Sequence, residues 1–372
     1  MNFEFSDDQK QMAAEARRFL AAKCPTTAVR AILEGPEPYD RALWKGLAEM
    51  GFLGVVIPEE FGGLGLGYLE LCVIAEEMGR ALAPVPFSSS VMLATEFLLA
   101  AGSDDQKRAW LPRLASGDAI GTFAFAERAG AVTQKTIQLV AANGRLSGCK
   151  TAVPDGEIAD FAIVAARSGS QVSLHLVELD AAGVTRTPLD TIDPSRGHAR
   201  IDFADAPAQA LGAPEDGWRI ITEVFDRAAV LTAFEQIGGA DRALEMARDY
   251  ALERMAFGRP IGSFQAIKHM LADMYVSATL ARSNGYYGAW ALSTGASELP
   301  EAAASARVSA TQAFQHCAKN NIQVHGGMGF TWAFDCHLYY RRSNALALSL
   351  GSLSTWESLL IERMRGGNAA VA

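Results

Sequence analysis

Hydrophobic periodicity changes twice along these 372 residues, and the double change restricts the fold more than any single motif does. Up to about residue 115, apolar residues recur at helical spacing. Met12, Ala16, Phe19 and Leu20 share one face behind a Ser6-Asp7-Asp8 cap, and Leu43, Leu47 and Met50 share another within residues 39–50. Residues 69–82 and 88–101 continue this spacing, and Asp104-Asp105-Gln106-Lys107 opens a further short helix. From about Ile120, short alternating runs take over at 122–126, 137–141, 161–164, 172–177 and 196–203. Turn pairs such as Asn143-Gly144 and Asp155-Gly156 separate them. Helical spacing returns at Gly217 and persists to about Arg365, in segments near 218–254, 263–294, 300–325, 335–348 and 352–364. The pattern predicts a mainly α chain with a small central antiparallel β-domain. Its expected divisions are a helical domain (1–118), a β-domain (119–214) and a helical bundle (215–372). The closing GGNAAVA is expected to fray.

With 49% hydrophobic residues, the chain can bury a large core. A formal net charge of −9 argues against a nucleic-acid partner, which needs a clustered basic face. It leaves room for one anionic ligand held by a few arginines. Cys24, Cys72, Cys149, Cys317 and Cys336 are odd in number, widely spread and without CxxC spacing. They read as reduced thiols of a cytoplasmic protein, not as a disulfide frame or a zinc site. His175, His198, His269, His316, His325 and His337 have no ligand spacing, so no metal is expected, and His325 should pack or bond locally. The polar start MNFEFSDDQKQ has no signal-peptide character. No apolar run reaches the ~18 residues that a membrane span needs. GGLGLG at 62–67 superficially suggests a dinucleotide loop, but no strand–helix–strand unit surrounds it, and a tight loop is expected instead.

Residues 251–274, ALERMAFGRPIGSFQAIKHMLADM, read as helix, break, helix. Gly258, Pro260 and Gly262 punctuate the middle, since glycine supplies positive φ and proline fixes φ while removing a donor. Ser263 is the expected N-cap of the second helix, whose apolar stripe is Ile267, Met270, Leu271 and Met274. The rest of that helix can serve a subunit interface. Arg254, Phe257, Arg259 and Gln265 present guanidinium groups, an aromatic plate and an amide in the break. That set suits a diphosphate and the end of a nucleotide, because a guanidinium makes paired, charge-assisted hydrogen bonds to phosphate. A helical hairpin with a solvated polar turn is the alternative. Further on, QVHGGMGF at 323–330 ends another helical pattern with glycines that let a backbone approach a ligand.

Together RxxFGRPIGxFQ and QxxGGxGF resemble the acyl-CoA dehydrogenase family. So do GFLGVVIPEEFGGLGLG at 51–67, DQKRAWLPRLASGD at 105–118 and SGCKTAVPDGEIADFAIVAA at 147–166, in the family's order and over nearly the whole chain. The resemblance implies an N-terminal helical domain, a β-barrel domain and a C-terminal four-helix bundle. It also implies FAD, an acyl-CoA substrate desaturated at its α,β-carbons, and an electron-transfer flavoprotein as acceptor. A carboxylate in a dry pocket takes the weakly acidic α-proton while the β-hydrogen leaves as hydride.

Several family positions are altered. The usual glutamate base falls at Leu350, within Leu350-Gly351-Ser352, and the alternative base falls at Ala228, next to Ala229, although Asp226 is present. Glu235, seven residues past Ala228 and on about the same helical face, is the nearest carboxylate, with a structural role beside Gln236 as its other reading. At the isoalloxazine positions, AFAER carries Ala126 and Arg128 where the family has threonine and proline. Ala129-Gly130-Ala131-Val132 replaces a Ser/Gly-rich continuation, and Ala152-Val153-Pro154 lacks the stacking ring and hydroxyl. By resemblance, the residues that reach a neighbouring subunit's adenine and pyrophosphate are present as Arg254, Phe257, Phe264, Gln265, Gln323, Gly326 and Gly327. Arg341 fits a basic family position, whereas Arg342 stands where an aspartate is usual; Trp332, Tyr339 and Tyr340 are expected in the bundle core. This lopsided pattern points to the non-catalytic-type subunit of a hetero-tetramer with a homologous chain, as in steroid-type two-chain enzymes. The rivals are a self-sufficient homo-tetramer using Glu235 and a non-enzymatic scaffold.

Overall fold

The computed structural model describes residues 5–369; residues 1–4 of the polar start and 370–372 of the GGNAAVA tail lie outside them. Among the described residues, seven α-helices precede the strands: α1 (Asp7–Lys23), α2 (Thr26–Glu34), α3 (Arg41–Glu49), α4 (Tyr68–Ala81), α5 (Phe87–Ser89), α6 (Thr95–Ala101) and α7 (Asp104–Ala115). Five follow: α8 (Gly217–Glu253), α9 (Gln265–Thr294), α10 (Leu299–His325), α11 (Cys336–Leu348) and α12 (Leu353–Ala369). Contacts sort the chain into two compact units. Among the described residues, one comprises residues 5–29, Tyr68–Ala83 and residues 229–369; the other comprises Arg30–Gly67 and Pro84–Ala228.

The first unit is helical. Ser6 caps α1 as its sequence predicts, in a reciprocal box in which Ser6 Oγ accepts from the Gln9 amide and Gln9 Oε1 accepts from the Ser6 amide. Two glycines let α4 and α8 approach backbone to backbone. A Cβ on Gly79 would lie 1.7 Å from the Glu235 carbonyl oxygen, and one on Gly238 would lie 1.8 Å from that of Glu76. Farther along, fully buried Ala233, Ile237, Ala281, Ala306, Ala310 and Ala313 form a core of small side chains that draws α8, α9 and α10 close. Buried acids on α4 are matched by arginines: Arg17 grips Glu77 through two bonds of 2.9 and 2.7 Å, and Arg282 binds Glu76 (2.9 Å) and Asp241. Each such pair resists loss of one member, since a lone buried charge costs about 3–5 kcal/mol.

The second unit holds β1 (Gly121–Ala124), β2 (Val140–Ala142), β3 (Arg145–Pro154), β4 (Phe161–Ser168), β5 (Gln171–Glu178), β6 (Val184–Leu189), β7 (His198–Pro207) and β8 (Gln209–Leu211). Their order is β6-β7-β3-β2-β4-β5-β8, with β1 beside β4. The pairing is not wholly antiparallel, because β1 and β2 both meet β4 in parallel. β4 accordingly reads as the continuous apolar run of a strand covered on both faces. Asn143 (φ 52°) and Gly144 (φ 71°) turn β2 into β3, as expected of that pair. In the GGLGLG stretch Gly62 (φ 80°) and Gly65 (φ 60°) close a tight loop, with the Gly65 amide donating to the Ile57 carbonyl at 2.9 Å.

Several local expectations are corrected. Helix α2 and strands β3, β6 and β8 are additional to the expected segments. β3 is irregular because its register against β7 shifts twice, between Leu146 and Gly148 and between Lys150 and Val153, which breaks the alternation. Ser263 does not cap α9. Its hydroxyl donates to the Pro260 carbonyl (2.7 Å) inside a 3₁₀ turn, and Phe264 takes the cap position without a side-chain bond. Helix α12 extends to Ala369, and the rest of the tail expected to fray lies outside the described residues. Tyr339 is core, with its hydroxyl donating to the Arg80 carbonyl at 2.9 Å, but Trp332 and Tyr340 are half-exposed. All five cysteines are free thiols. Among the described residues no helix is long and apolar enough to cross a membrane, and no cluster of three metal-ligating side chains occurs.

Candidate functional site

The break after α8 is a two-residue hairpin. Met255–Ala256 pairs with Arg259–Pro260, leaving Phe257 and Gly258 at the turn with φ of 52° and 78°. A phenylalanine in the left-handed region costs about 1–2 kcal/mol, and this one is 96% exposed. Such strain on an unburied ring serves no core, and points to a ligand or partner. The Phe257 ring meets Phe264 edge-on at 6.2 Å, and the Arg259 guanidinium lies 4.1 Å over the Phe264 ring. The Arg254 amide donates to the Tyr250 carbonyl and its own carbonyl accepts from the Ile261 amide, both at 2.8 Å, so the hairpin is pinned to the end of α8. Arg254 and Gln265 are exposed.

The second stretch lies at the end of α10. Gln323 is exposed, and its carbonyl accepts the Gly326 amide that closes the helix. Gly326 adopts φ 59°, ψ −140°, a region essentially reserved for glycine. A Cβ on Gly326 or Gly327 would meet nothing within 4 Å, whereas one on Gly329 would strike the Ile322 carbonyl oxygen at 2.6 Å. The first two glycines thus leave open space, and the third is a packing requirement.

What joins these stretches was not legible in the motifs. Tyr250, one helical turn before Arg254, stacks on His325 with ring centroids 4.1 Å apart, and Phe334 closes against both rings edge-on. His325 Nδ1 also bonds the Asn321 carbonyl at 2.8 Å, the local bond expected of it. The arginine side and the glycine side therefore belong to one end of the helical unit. Guanidinium groups, two amides, exposed rings and an open glycine turn suit a diphosphate with an aromatic base beside it.

The base positions hold no acid. Ala228 is fully buried. Leu350 sits at φ 58° in the turn after α11, its carbonyl accepting from the Trp356 indole at 3.0 Å. Buried Arg307 ties down the same turn by donating to the Leu346 and Ser349 carbonyls and to Gln236 Oε1 (2.7 Å). Burial lowers its pKa to about 10, with Glu235 opposing the shift. Glu235 itself is 2% exposed, and one of its oxygens lies 3.7 Å from Arg342 Nη1; Arg342 is 1% exposed and also donates to the Leu82 carbonyl at 3.3 Å. The carboxylate thus has a buried guanidinium within ion-pair range.

In the other unit, Ala126 and Ala152 flank a built ion pair. Lys150 is fully buried and donates to Glu127 Oε1 and to the Phe125 carbonyl, each at 2.9 Å. Glu127 also accepts from the Gln138 and Leu139 amides. Burial pushes the Glu127 carboxyl up, but the amide bonds and the ammonium outweigh it and hold its pKa below the usual range. Burial lowers the Lys150 pKa despite its partner. The strand is thus firmly fixed, and Ala126 is bonded through its carbonyl to the Thr151 amide at 2.8 Å. Yet Ala126 and Ala152 offer only methyl groups, and Ala152 sits at φ 49°.

Residues 6–118 match the model of the acyl-CoA dehydrogenase N-terminal domain, and residues 215–364 match that of the C-terminal domain. The chain is 35% identical over 347 residues to the acyl-CoA dehydrogenase IpdE2 of Mycobacterium tuberculosis, covering 93% of this chain and 94% of that protein. Among solved structures, a variant of the Tcur3481-Tcur3483 steroid ACAD superposes with a TM-score of 0.88 at 29% identity, covering 98% of this chain and 99% of that one. The ChsE4-ChsE5 complex from Mycobacterium tuberculosis gives 0.89 at 27% identity, with both chains covered completely. Members of this group are generally FAD-dependent oxidoreductases. A helical N-terminal part, a central sheet and a C-terminal helical bundle, matched along almost their whole length, settle the assignment: the chain belongs to the acyl-CoA dehydrogenase family.

Proposed function

We propose that this chain is the non-catalytic-type subunit of a heteromeric, FAD-dependent acyl-CoA dehydrogenase. It holds the ADP end of a flavin whose ring, and whose base, are served by a homologous chain. The observation that carries this reading is the contrast between the two sets of positions. Arg254, Phe257, Gln265, Gln323, Gly326 and Gly327, all exposed, and half-buried Phe264 form a chemically apt set at one end of the helical unit, while Ala126, Ala152, Ala228 and Leu350 can neither hydrogen-bond a ring through a side chain nor take a proton. The bound flavin supplies the hydride acceptor for desaturation of the acyl-CoA α,β-bond. This chain's arginine and amides neutralise and orient the diphosphate, and the exposed rings pack the nucleotide. Relatives whose names give two chains, ChsE4-ChsE5 and Tcur3481-Tcur3483, support a paired assembly, and the steroid ACAD supports a bulky, steroid-derived acyl group. We also assign an electron-transfer flavoprotein as acceptor and a cytoplasmic site of action, in keeping with five free thiols.

The self-sufficient homo-tetramer with Glu235 as base is the second reading, and the Arg342 contact weighs against it. A scaffold without flavin would have no use for a strained, exposed Phe257. The chain should be expressed alone and with a candidate homologous partner, and flavin absorbance and acyl-CoA oxidation recorded. Turnover only in the mixed assembly is expected; turnover by the isolated chain would refute the proposal.

A further inference from the structure

We propose that His325, backed by Tyr250, is a positioning residue of the nucleotide grip: its ring sets the spacing between the arginine-bearing hairpin and the glycine-bearing turn. The inference rests on the nucleotide-holding role proposed above. Arg254 follows α8 and Gly326 follows α10, so residues far apart in sequence must be kept in register. Three observations show how. The Tyr250 ring lies on the His325 ring at 4.1 Å with a 22° tilt, and the Tyr250 carbonyl accepts the Arg254 amide at 2.8 Å. His325 is the last residue of α10, is 7% exposed, and is oriented by its Nδ1 bond to the Asn321 carbonyl. Finally, the turn folds back over it, since a Cβ on Gly329 would lie 2.8 Å from His325 Cβ, and Phe334 caps the stack at 5.7 Å from His325. One covalent step from Gly326 and one ring contact plus one hydrogen bond from Arg254, His325 couples the two sides directly. Imidazole suits the place because it is flat enough to stack and has a donor for Asn321; phenylalanine offers only the first property.

The test uses the full chain, alone and with its partner, and the probes are ADP and FAD, measured by calorimetric titration. His325→Ala and Tyr250→Ala should each weaken ADP about tenfold or more, the net worth of roughly one hydrogen bond. Tyr250→Phe, which retains the stack, should bind as wild type, and His325→Phe should fall within about threefold. A merely structural role would lower thermal stability and leave the effects of His325→Ala and Arg254→Ala independent. Positioning predicts instead that the double variant loses at least about fivefold less than the product of the single losses, because Arg254 is already misplaced when the ring is gone. ADP binding by folded His325→Ala within threefold of wild type, or losses that simply multiply, would overturn the inference and leave the nucleotide role standing. Absence of ADP and FAD binding by the wild-type chain and assembly would overturn both.

Discussion

Replacing Glu235 by glutamine separates a counter-ion from a base. The side chain is 3% exposed and faces Arg342, itself 1% exposed, at 3.7 Å. Neutralising it takes a negative charge away from a buried guanidinium, and breaking such a pair costs about 3–5 kcal/mol. For a unit of roughly 190 residues, each kcal/mol moves the thermal midpoint by about 2–4 °C, so a fall on the order of 10 °C is expected. The double substitution Glu235→Gln with Arg342→Met removes the guanidinium as well and should recover most of that loss. The assay is a thermal melt followed by far-UV circular dichroism, run beside acyl-CoA oxidation by the assembled enzyme at a temperature where every variant is folded. The counter-ion account predicts a large drop in midpoint with turnover within about threefold of wild type. If Glu235→Gln melted like wild type but had lost turnover by a thousandfold or more, the range expected when a proton-transfer group is deleted, the reasoning would be wrong and Glu235 would be the base.

Other outcomes follow from the same geometry. Arg254→Ala and Gln323→Ala alter exposed side chains, so each should weaken FAD by about 10–100-fold, as loss of a charge-assisted or polar bond does, with no change in the melt. Burial lowers the His325 pKa while its bond to Asn321 opposes the shift. The unfolded chain therefore binds the proton more readily. Stability on this account is full above the ordinary histidine range near 6.5 and falls as pH drops toward the folded value; His325→Phe should flatten part of the decline in urea midpoint between pH 7.5 and 5.5, with His175 and His198, also lowered by burial, supplying the rest. Glu127 titrates in the opposite sense to its burial, its pKa lying below the usual value, so its contribution should vanish as pH falls through the carboxylate range; Glu127→Gln should melt lower at pH 7 and converge with wild type at low pH. Gly238→Ala would drive a methyl to 1.8 Å from the Glu76 carbonyl oxygen and should yield insoluble or strongly destabilised protein, whereas Gly197→Ala, with nothing within 4 Å of its Cβ, should be neutral by the same melt.

The long helices were legible because their apolar residues recur at 3.6 spacing through many turns, and α8 to α11 begin and end within two residues of the expected limits. β3 was not, because two register shifts scramble its alternation and leave a burial order that no period describes. At the cap of α9 the obvious serine bonds backward to Pro260 and yields the cap to Phe264; the loop's path, not the residue type, decides. The residues proposed to hold the nucleotide come from their motifs, yet the Tyr250–His325–Phe334 stack beside them has no signal in sequence, since it depends on three elements meeting. For Glu235 the sequence offered a weak catalytic reading and a structural role inside the bundle beside Gln236. Gln236 accepts from Arg307, and Glu235 lies 3.7 Å from Arg342, more than a hundred residues away. The unusual arginine at 342 and the glutamate at 235 explain each other only once the fold brings α8 and α11 together.

Flavin stoichiometry distinguishes a subunit that grips only the ADP end from a self-sufficient enzyme. The chain should be purified alone and then with a homologous chain that carries a glutamate at the position of Leu350 and a threonine at that of Ala126, and bound FAD counted per polypeptide by absorbance after denaturation. The account predicts little retained flavin and no acyl-CoA oxidation for the solitary chain, with both appearing in the mixed assembly. A solitary chain that retained one FAD per polypeptide and oxidised an acyl-CoA would contradict it.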